Sequence, residues 1–198
     1  FINMKVAKFI IFFMFFSIAF SQEKNEVKNV DIEKSRLFWI GEKPSGTHEG
    51  YVQISSGEIT ISENNQDKSW KILNGNFIID METIECIDLQ GEWKDSIEEH
   101  LKNEDFFDTE KHPKSTFEIT SDNENTLEGI LTIKGISKKI KFDYKGQLKN
   151  GTLTIVANII IDRTDFDINY KSSSVFPELI DNFIYDEFTI KLEPIIFK

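Results

Sequence analysis

The feature that most restricts this chain is a strict two-residue alternation of apolar and polar side chains. In Lys139–Lys145, Ile140, Phe142 and Tyr144 are separated by charged residues. Ser115–Thr120 and Glu187–Glu193 repeat the pattern, and Leu127–Lys134 follows it with Ile130 as the one exception. A helix needs apolar residues three and four apart. A period of two instead buries one face of a strand and wets the other, the mark of antiparallel sheet. Further strands are expected over 36–41, 50–54, 57–62, 76–82, 84–88 and 151–163. Turns are signalled by Asn74-Gly75, Lys134-Gly135, Lys149-Asn150-Gly151 and the Ser/Asn/Asp cluster at 62–67. Roughly eight to ten short-linked strands make an all-β barrel or sandwich.

Two segments break the alternation. In Asp95–Leu101, Asp95 caps a short helix and Glu98 reaches back as in a capping box, with Trp93, Ile97 and Leu101 on one face. Ser174–Phe183 starts with a capping serine and has Pro177 in its first turn. Its Phe176, Leu179, Ile180 and Phe183 would line one side. Both segments are placed to cover barrel ends or seal the core.

The N-terminal region carries a different signal. Phe1-Ile2-Asn3 precede Met4 and are read as upstream extension. Lys5 and Lys8 are followed by the apolar stretch Phe9–Phe20 and the small residues Ala19 and Ser21. This is the pattern of a secretory signal peptide over residues 1–21, with cleavage before Gln22. The apolar stretch is shorter than the roughly 20 residues a spanning helix needs, and no lipoprotein cysteine stands at the cleavage point. The expected product is one domain over 22–198, periplasmic or secreted, without stable membrane insertion after cleavage. The full chain's formal charge of −11, more negative once Lys5 and Lys8 are removed, disfavours nucleic acid, because phosphates are bound by neutralising them.

The search for catalysis finds no pattern. His48, His100 and His112 lack metal-binding spacing, and the single cysteine, Cys86, supports neither a disulfide nor a structural zinc site. Cys86 sits beside acids that raise a thiol pKa, so it reads as a small buried apolar residue. Nucleophile-elbow, phosphate-loop and dinucleotide patterns are missing. Carboxylate pairs such as Glu98-Glu99 arise by chance among 34 acids. The expectation is no catalytic residue, no metal site and no cofactor. A small barrel either packs its interior or leaves room for one ligand, and periodicity alone does not choose.

Several blocks, in order, resemble the YceI-like family of polyisoprenoid- and lipid-binding envelope proteins. They are Asp31–Gly41 leading to Gly46-Thr47-His48-Glu49-Gly50, then Gly75–Met81, His100–Asp108 continued by His112–Phe117, Leu131–Lys138 and Ile161–Phe166. His112 stands where the family commonly has tyrosine before the proline. The resemblance implies an eight-stranded antiparallel lipocalin-like β-barrel with one or two short covering helices. It also implies an elongated apolar cavity for an isoprenoid, isoprenoid-quinone or fatty-chain ligand, bound without chemistry. On that reading Trp39, Phe77, Ile79, Phe117, Ile119, Leu131, Ile133, Phe142 and Tyr144 line the cavity; the alternative is that they only fill a core. His48 and Arg163 are the candidate head-group contacts, Arg163 alternatively pairing with an acid such as Asp105 or Asp165. Phe106 and Phe107 are expected to anchor the loop after the first helix. The competing function is a surface-binding β-sandwich or barrel with a packed interior and a carbohydrate or protein partner. Nothing in the residues sets an oligomeric state.

Overall fold

In the computed structural model, which describes residues 23–64, 66–179 and 182–198, the alternating segments form nine antiparallel strands. These are β1 (Glu23–Asn29), β2 (Arg36–Lys43), β3 (Gly46–Asn64), β4 (Trp70–Cys86), β5 (Lys114–Asn123), β6 (Thr126–Ile133), β7 (Ile136–Lys149), β8 (Thr152–Asp162) and β9 (Glu187–Phe197). Each of β4 through β8 pairs with the next in sequence. β9 returns to β2, β2 to β3, and β3 to β4, so the ladder closes into an eight-stave barrel. β1 and β2 share one stave, lying end to end on β3. β1 faces Glu58–Asn64 and β2 faces Gly46–Gln53. At the gap between them Val30 bridges to Phe197, Asn29 and Lys198 exchange backbone hydrogen bonds of 2.9 Å, and the Ser35 hydroxyl accepts from the Ile196 N–H at 2.9 Å.

The strands expected separately at 50–54 and 57–62 are one strand, β3, and those at 76–82 and 84–88 are one strand, β4. Register shifts at Tyr51/Gln53, Ile54/Ser56 and Thr60/Ile61 bend the pair without ending it. Such bulges supply the coiling that a small closed barrel demands. Asn74-Gly75 is accordingly not a turn. Gly75 pairs with both Ile59 and Ile119, and a Cβ there would lie 2.7 Å from Ile59 Cγ2 and 2.9 Å from the Glu58 carbonyl. Its glycine serves close packing rather than chain reversal. The Lys134-Gly135 and Asn150-Gly151 signals do mark hairpins, with φ of 50° and 75° in the first and 51° and 79° in the second. A positive φ at both turn residues matches the twist of the strands they join.

The helix α1 (Glu92–Lys102) follows β4. Gly91 stands at its N-cap, and Asp95 lies inside the first turn rather than at the cap. Glu98 accepts the Cys86 N–H at 2.8 Å, so the acid expected to close a capping box ties the helix to the end of β4 instead. Leu101 is buried, and Phe106 and Phe107 plug the core beyond it. The second covering segment forms only a short 3-10 turn, Pro177–Leu179. Ser172, not Ser174, accepts the Val175 N–H there, and Phe176 remains exposed. Ile180, like the expected signal peptide of residues 1–21, lies outside the described residues.

The two barrel ends differ. Ile59, Ile61, Ile72 and Leu153 have 0–2% of their surface exposed and fill the end opposite α1. Lys28 seals it from outside, its ammonium donating to the Gly151 carbonyl at 2.6 Å and pairing with Glu26 at 2.8 Å. Introducing a methyl at the crowded crossing, Gly75→Ala, should cost about 1–3 kcal/mol in urea-induced unfolding, since overpacking there pushes on backbone as well as side chain.

Candidate functional site

The inward faces of the strands enclose a cavity of about 640 Å³, within the range of small-molecule sites. Its walls follow from the period of two. Phe77 and Ile79 of β4, Phe117 and Ile119 of β5, and Leu131 and Ile133 of β6 all face it. Trp39 of β2 and Phe142 of β7 also border it. Phe77 and Phe117 lie 6.3 Å apart between ring centres, Phe117 and Phe142 5.7 Å, and Phe77 and Phe197 6.1 Å, forming an aromatic band across the interior. The Trp39 indole N–H donates to the Glu85 carbonyl at 3.1 Å, which holds its ring inward.

Tyr144 is the exception among the expected lining residues. It faces inward, but at the filled end, where the cavity does not reach. Its hydroxyl donates to Asp122 Oδ2 at 2.7 Å, and its ring lies 6.4 Å from that of Trp70. Burial, reinforced by Asp122, pushes its pKa well above that of a free tyrosine, so it remains a donor. Asp122 also accepts the Ile72 N–H at 3.0 Å, binding the ends of β4, β5 and β7 together.

The polar part of the lining collects at the α1 end. His48, Ser96, His100, Ser115, Arg163 and Lys171 all border the cavity there. Arg163 is 2% exposed. It donates to the carbonyls of Ile168 at 2.6 Å, Ile184 at 2.9 Å and Tyr185 at 3.1 Å, and to Asp186 at 3.4 Å. Four of its five N–H groups are thus engaged within the fold. Its acid is Asp186, not Asp105 or Asp165; Asp165 pairs with Lys138 at 3.0 Å. Arg163 therefore fixes the 163–186 segment, and its guanidinium also lies over the Phe106 ring at 5.7 Å.

His48 Nδ1 donates to Asp88 Oδ2 at 2.9 Å. The other oxygen of Asp88 accepts the Glu49 N–H at 3.0 Å and the Cys86 thiol at 3.0 Å. Burial opposes the charge on Asp88, but these donors together bring its pKa down to about 2. Burial first, and Asp88 second, push the Cys86 thiol up to about 11. His48, Cys86 and Asp88 bring their donor atoms within 4.8 Å of one another, the one such group of metal-capable side chains among the described residues. Spacing along the chain does not reveal it, because His48 comes from β3, Cys86 from the end of β4 and Asp88 from the bend after it.

His100 is a lining residue that periodicity misses, since it belongs to α1. Asn103 Oδ1 accepts the Asp105 N–H, which turns the Asn103 amide nitrogen toward His100 Nδ1 at 3.4 Å. The ring packs edge-on against Tyr170 and Phe106, at 4.4 and 5.2 Å between centres. Burial lowers its pKa, with Asp105 opposing and Lys171 assisting. Ser115 is also unheralded, although it shares the inward face of Phe117 and Ile119.

Two effects should be measurable here. Tyr144→Phe should lower stability by roughly 1–3 kcal/mol in chemical denaturation, because Asp122 loses its buried donor. A histidine whose folded pKa is depressed contributes stability that is present above its unfolded pKa, near 6.5, and is lost as pH falls through the folded value. Denaturation midpoints should therefore drop on acidification below about pH 6.5, and His100→Gln should flatten that drop.

The family model for the YceI-like domain matches residues 29–194. A UPF0312 protein of Staphylococcus aureus (strain bovine RF122 / ET3-1) is 37% identical over 86 residues, covering 40% of this chain and 50% of that protein. One from Staphylococcus epidermidis (strain ATCC 12228 / FDA PCI 1200) is 35% identical over 94 residues, covering 44% and 53%. The chain thus spans about half the length of the curated relatives it matches. Among solved structures, BcnA of Burkholderia cenocepacia superposes with a TM-score of 0.60 at 17% identity, over 84% of this chain and 98% of that one. A polyisoprenoid binding domain from Saccharophagus degradans gives 0.60 at 10% identity, over 86% and 97%. At these identities the likeness is one of fold.

Proposed function

This chain belongs to the YceI-like family, and on that footing we propose that it binds and carries an amphipathic polyisoprenoid, isoprenoid-quinone or fatty-chain molecule without turning it over. The observation that carries this reading is the 640 Å³ apolar cavity inside a closed barrel. A packed interior, which the surface-binding alternative requires, is at odds with that volume. The polyisoprenoid binding for which the Saccharophagus degradans neighbour is named supports the same ligand class.

The energetics suffice without polar chemistry. Burying a methylene contributes roughly 0.8 kcal/mol, so one isoprene unit contributes about 3–4 kcal/mol. A few units outweigh the several kcal/mol lost on ordering and reach micromolar affinity. The uneven lining orients the molecule: an apolar tail lies against Phe77, Phe117 and Phe142, and its head group lies at the α1 end, near His48, His100 and Lys171. Trp93, 78% exposed yet bordering the cavity, belongs to the rim and not to a seal. Among the described residues no helix is long and apolar enough to cross a membrane. The leader pattern and the family, whose members are generally periplasmic, support a location in the envelope or outside the cell.

The test is mass spectrometry of an organic extract of the exported protein purified without detergent. The expected result is a polyprenyl, quinone or fatty-chain species near one per chain, with occupancy reduced in Leu131→Trp while the fold survives. A clean extract together with failure to take up added polyprenol would overturn the proposal.

A further inference from the structure

We propose that His48, Cys86 and Asp88 form a binding site for one zinc-like divalent cation at the rim of the cavity. His48 also borders the cavity, so the cluster stands where the interior meets the outside. Its geometry comes from strand register. Gly50 of β3 pairs with Cys86 of β4, so continuing that antiparallel register sets His48 opposite Asp88. Asp88 lies in the bend just past β4, held against β3 by the Ile87 N–H donating to the Glu49 carbonyl at 3.0 Å, and a thiol, an imidazole nitrogen and a carboxylate oxygen converge within 4.8 Å.

The donors are already held for this purpose. Asp88 is placed by the Glu49 N–H and accepts from both other members, at 2.9 Å from His48 and 3.0 Å from Cys86. The Cys86 N–H is fixed by Glu98 of α1 at 2.8 Å, so the thiol rests on an anchored strand end. One nitrogen, one sulfur and one oxygen donor suit zinc, which binds them at about 2.0–2.3 Å in tetrahedral geometry. Three protein donors leave the fourth position to solvent. The side chains of His48 and Asp88 are 26% and 25% exposed, so an ion reaches the cluster from outside without the barrel opening. When it binds, the thiol proton leaves to solvent and sulfur donates as the thiolate. Asp88 exchanges its hydrogen-bond donors for the metal, and the imidazole coordinates through its unprotonated nitrogen.

The experiment is a titration of the chelator-treated full chain with Co²⁺, followed by competition with Zn²⁺. One Co²⁺ per chain is expected, with a thiolate-to-cobalt charge-transfer absorption that Zn²⁺ abolishes. Cys86→Ser should eliminate that absorption, and His48→Gln and Asp88→Asn should each weaken binding at least tenfold. His112→Gln should leave it unchanged. Zn²⁺ should raise the melting temperature of the wild type but not of Cys86→Ser. A wild-type titration without the charge-transfer band, or a band that survives at full affinity in both His48→Gln and Asp88→Asn, would overturn the site and leave the cluster as a hydrogen-bonded strand tie. Because the wild-type titration alone can fail the proposal, a variant that does not fold cannot shelter it.

Discussion

Closure of the β3–β4 ladder is the constraint on which the rest of the structure depends. Both strands are long, and both are bent by register shifts, so their far halves meet after the other strands have curled around. Without that pairing two edges of backbone donors and acceptors would be left open, and the inward faces would not meet around one space. The crowded glycine at position 75, the shared stave of β1 and β2 and the bulges are all consequences of drawing a nine-stranded ladder into a ring of eight staves.

Closure alone does not decide whether a barrel is solid or hollow. Here the two ends take opposite courses. At the end away from α1, branched aliphatic side chains reach across to one another, with Lys28 and the Tyr144–Asp122 bond sealing the periphery. Toward α1 the inward aromatic rings leave a volume between them. The segment 163–186 could not sit over that volume as an unsupported loop. It is held by Arg163, which collects three carbonyls and Asp186, an arrangement that uses a buried cation as a structural clamp rather than as a free ligand contact.

Much of the fold was legible in advance, and the reasons are local. The alternation in 115–120, 127–134, 139–145 and 187–193 reports strand faces directly, and the Lys134-Gly135 and Asn150-Gly151 pairs report hairpins because few residues tolerate two successive positive φ values. The same local signal misled at Asn74-Gly75, where glycine answers a neighbouring strand and not a turn. It missed β1, whose Glu23–Asn29 is mostly polar and is recruited by the free flank of β3. In the capping segments, Glu98 turned from its expected local role to the Cys86 N–H, and Ser172 took the capping role expected of Ser174.

What the sequence by itself determined is which side chains point inward and that they are apolar, because a strand's two-residue period is written into the chain. Only the tertiary structure decided which inward residues border the cavity and which fill the closed end, as Tyr144 illustrates, since position along the barrel axis depends on stagger between strands. It alone brought His48 beside Cys86 and Asp88 and gave Arg163 its acid. Those juxtapositions are set by register and by loop return across many residues, and side-chain order along one strand carries no record of what lies opposite on another.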